Sequence, residues 1–214
     1  MRSIIMLAAT LASMQVGCGT DETTHAPASN HAVLPATAKK LYLDEHDLGA
    51  GKVTAADVAG AHAKDLATEA QYGVDFKAYW FDEQAGKVYC LAEAPSAEAT
   101  TAVHAAAHGL IADNIIAVTE DNGSWLPTPG KQLYLDVHHF DPAQISAPDV
   151  ARAHQRDLET EGKYGVQYLD YWFDAATGTV MCLAQAPSAG AALAVHREAH
   201  GLMPDSIAAV SEGR

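Results

Sequence analysis

The amino-acid sequence predicts an α+β protein made of two tandem ferredoxin-like βαββαβ modules that pack as a pseudo-dimer within one chain. Three observations lead there. Residues 41–119 align with 133–211 without a gap at an offset of 92, and just over half of the positions are identical. That period is too long for a solenoid repeat, so each copy reads as a small domain. Within each copy, strand-like and helix-like hydrophobic patterns alternate in the order of a split βαβ motif. Two helices cover only one face of a four-stranded sheet, so the bare faces of the two copies are each other's nearest cover.

The elements of the first copy follow in order. Leu41 to Asp47 reads as a strand. Thr54 is a good N-cap, with Asp57 at the third helical position, for a helix reaching about Gln71. Val58, Ala61 and Leu66 are its expected core stripe. Val74 to Phe81 is a strand, "DEQAG" a hairpin turn, and Lys87 to Ala94 the return. Pro95 stops that strand and Ser96 caps a second helix, which runs to about His108 and ends on Gly109. Ile115 to Thr119 is the last strand. Tyr42, Tyr79 and Phe81 are expected on the face turned toward the other copy. Residues 120–132, "EDNGSWLPTPGKQ", form a Gly/Pro linker whose Trp125 is expected to pack on a module.

The start of the chain reads as a processing signal. Arg2 supplies a positive charge, and Ser3 to Met14 is apolar but too short for an ordinary spanning helix. Val16-Gly17-Cys18 fits a bacterial lipobox, which makes residues 1–18 a lipoprotein signal peptide and Cys18 the lipidated residue. A plain secretory signal cut nearby is the alternative, and both take the protein out of the cytoplasm. Residues 19–40 are polar and rich in Ala, Thr and Pro, a flexible tether. The expected location is the periplasmic side of the cell envelope, with contact to the membrane through the lipid anchor only.

The 214 residues hold 13 basic and 27 acidic side chains, a formal charge of -14. An acidic surface repels phosphate backbones, so nucleic acid is excluded as a partner class. Cys90 and Cys182 occupy the same place in each copy, on predicted buried strands. Two buried free thiols are the simpler reading, and a disulfide between the modules the other.

The 11 histidines are the chemical signal. Four recur at the same place in both copies: His46 and His138, His62 and His154, His104 and His196, His108 and His200. The acidic pairs Asp44/Asp136, Asp65/Asp157, Glu69/Glu161 and Asp113/Asp205 recur as well. His104 and His108 are spaced i, i+4, so one helix face offers two imidazoles to one ion. The spacing matches that of a zinc protease helix, but no Glu follows the first His, so that mechanism lacks its general base. His108, beside the Gly cap, can instead neutralise the last helix carbonyls. Topology brings the end of the first strand, with His46, to the edge where the second helix ends. His46 alternates with Leu43 and Glu45, so it faces either the helices, giving an edge site per module, or the cleft between the modules. His46, His104, His108, His138, His196 and His200 are therefore the expected metal ligands. His62, His154 and the unrepeated His139 are secondary candidates, the first two in competition with a solvated or hydrogen-bonded helix face. Imidazole with carboxylate suits nickel, zinc, cobalt or copper.

These residues carry a family resemblance. "LYLDEHDL", "YGV…YWFD", "CLAEAPS" and "VHAAAHGL" together resemble a family of small bacterial ferredoxin-like domains described as nickel-binding. The resemblance covers 41–119 and again 133–211. It implies nickel as the ion and a fold that normally dimerises, here fused into one chain. The expected function is then an envelope lipoprotein that binds a divalent transition metal for sequestration or sensing. Two rivals stand beside it. One is a small-molecule enzyme or ligand-binding α+β barrel that uses the inter-module cleft, lined by Tyr42, Asp44 and His46. The other is a non-catalytic interaction module with structural histidines. No Ser-His-Asp set, phosphate loop or CxxC supports a named reaction.

Overall fold

A computed structural model describes residues 38–120 and 127–214. The leader with Cys18, the tether up to residue 37 with its His25 and His31, and Trp125 of the linker lie outside the described residues. No described helix is long and apolar enough to cross a membrane.

The first copy runs β1 (Lys40–Asp47), α1 (Ala55–Thr68), β2 (Asp75–Asp82), β3 (Lys87–Ala94), α2 (Ala97–Ala107) and β4 (Asn114–Glu120). The second runs β5 (Leu133–His139), α3 (Ala147–Thr160), β6 (Gln167–Asp174), β7 (Thr179–Gln185), α4 (Ala189–Ala199) and β8 (Ser206–Gly213). Short 3-10 turns, Glu69–Tyr72 and Glu161–Tyr164, extend α1 and α3. The Thr54 cap forms as expected: Asp57 N–H donates to Thr54 Oγ1 at 3.3 Å, and Thr54 N–H donates to the Asp57 carboxylate at 2.9 Å.

The two sheets do more than pack face to face. They close into one barrel in the order β1-β3-β2-β8-β5-β7-β6-β4. Two seams join the copies, β2 with β8 and β4 with β6. Closure removes the free edges that each four-stranded sheet would expose. At one seam Trp80 Nε1–H donates to Glu212 Oε2 at 3.2 Å.

The barrel interior is filled by Leu43, Trp80, Leu91, Leu135, Trp172 and Leu183, with the two indoles in contact at 4.7 Å between ring centroids. This corrects two expectations. Tyr42, Tyr79 and Phe81 pack outward with Val58 and Val103 beneath the helices, because the Leu and Trp positions of the strands take the central space. The barrel centre between the modules is a packed core, and Tyr42, Asp44 and His46 lie on the helix side of the sheet, so they do not line an inter-module cleft.

The stripe of α1 also differs from expectation. Its buried residues are Val58, His62 and Asp65, whereas Leu66 is 40% exposed. The spacing 58, 62, 65 follows the helical period, but with a histidine and an aspartate on the inner face. A β-bulge at Lys77 explains how Phe76 and Tyr79, three residues apart, both face the helices. Glu69 holds that bend by accepting from Phe76 N–H at 2.6 Å, and Glu161 does the same for Tyr168 N–H at 2.6 Å.

Candidate metal centre

On β1 the alternation sends Leu43 into the barrel and Asp44 and His46 toward the helices, so each module has its own site between sheet and helices. α1 contributes His62 and Asp65. The C-terminal turn of α2 contributes His104 and His108, and Gly109 at φ +80 ends the helix there. Its N–H donates to His104 C=O at 2.8 Å, and Gly201, φ +76, repeats this on His196 C=O at 2.8 Å. All these side chains are buried or nearly so: Asp44 is 1% exposed, Asp65 2% and His104 0%.

The hydrogen bonds form a directed chain. Leu110 N–H donates to His108 Nδ1 at 3.1 Å. A backbone N–H is always a donor, so that nitrogen accepts and the proton of His108 sits on Nε2. His108 Nε2–H then donates to Asp65 Oδ2 at 3.1 Å. The other oxygen of Asp65 accepts from His104 Nδ1–H at 3.1 Å. His104 Nε2 faces Asp44 Oδ2 at 2.9 Å. The second copy repeats the chain through Leu202, His200, Asp157, His196 and Asp136 at 3.0, 3.1, 3.1 and 3.1 Å.

His104 is thus an imidazolium between two carboxylates. Burial alone would lower its pKa, but the hydrogen bonds and charges of Asp44 and Asp65 outweigh burial and raise it to about 9. His196 is raised to about 9 for the same reasons. Asp44, which burial alone would raise, is held down to about 2 by His104 and His46. Asp136 is lowered likewise. Two carboxylates and one imidazolium leave one negative charge in the cluster, which is a cation-seeking arrangement.

One atom of the cluster is orphaned. Asp44 Oδ1 is buried and accepts no hydrogen bond among the described residues, and so is its copy Asp136 Oδ1. His46 Nε2 lies 3.4 Å from the first and His138 Nε2 3.2 Å from the second. Donors on a tetrahedral ion at ~2.0–2.2 Å stand about 3.3–3.6 Å apart, so the Asp44–His46 spacing fits a shared ion. Donor atoms of Asp44, His46 and His104 lie within 4.8 Å of one another, as do those of Asp65, His104 and His108. In the second copy the corresponding groups are Asp136, His138 and Cys182, and Asp157, His196 and His200. Cys90 and Cys182 are free and buried, and burial pushes both thiols up.

The expected histidines therefore meet as three per module. His62 joins neither converging group, yet it is 5% exposed with no hydrogen bond to either ring nitrogen. Its copy His154 packs against Tyr171 at 4.7 Å between centroids. His139 stands outside the cluster: it is exposed on the surface and paired with Asp205 at 3.1 Å. The Asp113/Asp205 repeat is structural, since Asp113 ties the end of β1 to the start of β4 through Asp47 N–H at 2.6 Å. The expected ligand set left out Asp44 and Asp65. Their signal was available: both recur, and Asp65 falls on the helical period of Val58 and His62.

The sequence profile described as "Nickel responsive protein SCO4226-like" matches residues 42–118 and again 134–210. The crystal structure of SCO4226 from Streptomyces coelicolor A3(2) is 37% identical over 35% of this chain and 90% of its own, with a TM-score of 0.33. A putative monooxygenase from Lactobacillus acidophilus NCFM is 9% identical over 82% of this chain and 94% of its own, with a TM-score of 0.45. A chlorite dismutase from Candidatus Nitrospira defluvii is 5% identical over 83% and 92%, with a TM-score of 0.46. No curated protein matches the chain.

Proposed function

The chain belongs to the SCO4226-like family of nickel-responsive proteins, in two copies, and from that premise we propose that each module binds one divalent transition metal ion, nickel first. Asp44, His46 and His104 are the ligands in the first module, and Asp136, His138 and His196 in the second. The observation that carries this reading is the orphaned Asp44 Oδ1 beside His46 Nε2, at the end of a proton-ordered chain. That chain keeps the proton of His104 on Nδ1, so only Nε2 has to lose one for a lone pair to meet the ion. Asp65 and His108 are then positioning residues, the carboxylate behind a metal-bound imidazole and the imidazole behind that carboxylate. Exchanging one proton for a divalent ion turns the buried cluster from one negative charge to neutral, which favours uptake. When bound, the ion supplies Lewis acidity and an anion-binding charge at the bottom of the module.

His104 and His108 also meet Asp65 at spacings of 3.1–3.3 Å, which suits an ion as well. The tautomer of His108 speaks against that position, because an ion on Nε2 must displace the proton that Leu110 N–H keeps there. Titration calorimetry with nickel on untagged protein separates the two. His46→Ala with His138→Ala abolishes tight binding, whereas His108→Ala with His200→Ala weakens it by about 10–100-fold, the usual effect of losing an outer partner. The reverse order moves the ion to Asp65, and no change in either variant removes it from the cluster.

The leader supports a lipid-anchored place in the cell envelope and a sequestering or sensing role there. Mass spectrometry of the membrane-extracted protein tests the anchor: an acylated N-terminal Cys18 supports it, and an unmodified soluble protein contradicts it.

A further inference from the structure

The second module offers its ion a donor of another kind. Along β7, Met181 and Leu183 turn into the barrel, while Val180, Cys182 and Ala184 turn toward the helices. Cys182 stands directly across the β5–β7 ladder from Asp136, and His138 follows two residues along β5 on the same face. Opposed residues on one face of an antiparallel pair have Cβ atoms about 4.5–5.5 Å apart, so a sulfur and a carboxylate there can reach one ion. The side chains meet that expectation: donor atoms of Asp136, His138 and Cys182 lie within 4.8 Å of one another.

A buried cysteine is ordinarily a small apolar residue, so its place in the sheet is not by itself a site. Its neighbours make the difference. Asp136 is 1% exposed, and its Oδ1 accepts no hydrogen bond among the described residues. His138 is 4% exposed, and its Nδ1 has no hydrogen-bond partner among them either. The thiol beside them is only a weak donor. A buried polar atom left unsatisfied costs about 1–3 kcal/mol, and one cation relieves a carboxylate oxygen, a ring nitrogen and a sulfur together.

The first module is the internal comparison. Cys90 faces Asp44 in the same register, yet the converging group there is Asp44, His46 and His104. In the second module Tyr168 Oη stands 3.0 Å from His196 Nε2, and it is the sulfur that converges with Asp136 and His138.

We propose that Cys182 is a ligand of the ion in the second module, as a thiolate in the fourth position beside Asp136, His138 and His196. The proposal rests on the metal reading above, whose three side chains leave a four-coordinate ion one donor short. Burial and the Asp136 charge keep the free thiol protonated. A coordinating cation removes that proton, which passes to the solvent as the sulfur–metal bond forms. The thiolate makes this the softer of the two sites. It favours zinc and cobalt over hard ions such as magnesium more steeply than the first module, whose donors are nitrogen and oxygen.

The test loads the untagged protein with cobalt(II), one ion per module, and reads thiolate-to-cobalt charge transfer in the near ultraviolet beside the visible bands of the ion. The expected wild-type spectrum shows both, with charge transfer worth one thiolate per chain. Cys182→Ser loses the charge transfer and keeps the visible bands, and Cys90→Ser keeps both. X-ray absorption at the zinc edge of the zinc-loaded wild type covers the case in which a variant is unstable: a sulfur at ~2.3 Å is expected beside nitrogen and oxygen at ~2.0–2.2 Å. Visible bands without charge transfer in the wild type, or a zinc shell of nitrogen and oxygen alone, overturns this inference and leaves the metal reading standing. Charge transfer that survives in Cys182→Ser, or falls equally in both variants, also overturns it, since the sulfur then comes from elsewhere. No cobalt spectrum at all in the wild type overturns both readings.

Discussion

The two histidine–aspartate clusters share their residues and differ in two neighbours. In the second module Tyr168 Oη lies 3.0 Å from His196 Nε2 and 3.4 Å from Ala192 C=O. In the first module that place belongs to Phe76, whose ring touches His104 at 5.2 Å between centroids and offers no polar atom. A second difference sits at the mouth, where Phe140 stacks on His138 at 5.6 Å and 12° and Leu48 stands in its place. The donor geometry is the same to within 0.2 Å at the His104–Asp44 and His196–Asp136 bonds, 2.9 against 3.1 Å. What the repeat preserves is the directed chain from backbone N–H to ligand nitrogen. What it varies is the competition for that nitrogen. The first module should therefore take metal first, and the second should lag because the phenol oxygen of Tyr168 stabilises the proton on His196 Nε2 that an ion must displace.

The harshest way to break the likeness is to remove the central imidazole. His104→Ala leaves Asp44 and Asp65 buried without their shared counter-charge, a loss of about 3–5 kcal/mol for a broken buried pair. His196→Ala strands Asp136 and Asp157 in the same way, so the two variants should cost equally in urea denaturation, and each should lower nickel stoichiometry from two ions to one. A large inequality in stability would show that the modules do not share one device.

Acid and alkali test the same pair without mutation. His104 and His196 rise from 6.5 to about 9 on folding, so their contribution is fully present below pH 6.5 and is lost as pH rises through about 9. Asp44 falls from 3.8 to about 2, so its contribution is present above pH 3.8 and is lost as pH falls through about 2. Metal-free protein should be most stable between those limits, from pH 3.8 to 6.5. Its urea midpoint should drop between pH 6.5 and 9, and this alkaline drop should vanish in His104→Ala with His196→Ala. A drop that survives in the double variant assigns it to other groups.

The smallest effect is the most specific to the difference. Tyr168→Phe removes the phenol oxygen that stabilises the proton on His196 Nε2 and should raise the affinity of the second module by up to about tenfold, the worth of one hydrogen bond of ~0.5–1.5 kcal/mol. Phe76→Tyr should lower that of the first by a similar factor. Stepwise nickel titration reads both, and an unchanged separation between the two binding steps would remove the phenol from the account.

Much of this was legible in the repeat and little of it in the periodicity. The element order, the Thr54 and Ser96 caps and the Gly109 stop follow from local chemistry, and they formed where the sequence placed them. The facing of β1 did not follow, because both of its faces carry apolar and polar residues; packing decided it, when Trp80 and Trp172 met at the barrel centre. The α1 stripe was misread for a related reason. A search for hydrophobic residues passes over His62 and Asp65, although helical geometry puts them with Val58. Residues that recur only for structure, Glu69 and Asp113, look the same in sequence as Asp44 and Asp65, which recur in the cluster. Only the hydrogen-bond partners separate them, and partners depend on which elements meet. Barrel closure, finally, depends on pairing between β2 and β8 and between β4 and β6, contacts with no local signal at all.

The central claim is that an ion sits where Asp44 Oδ1 and His46 Nε2 face each other, and anomalous diffraction at the nickel edge on nickel-soaked crystals of the untagged protein tests it most directly. The account predicts one peak per module, touching Asp44, His46 and His104 in the first and Asp136, His138 and His196 in the second, with the first more fully occupied at limiting nickel. Peaks only on surface groups such as His139 with Asp205, or on the Asp65 side of His104, would contradict it.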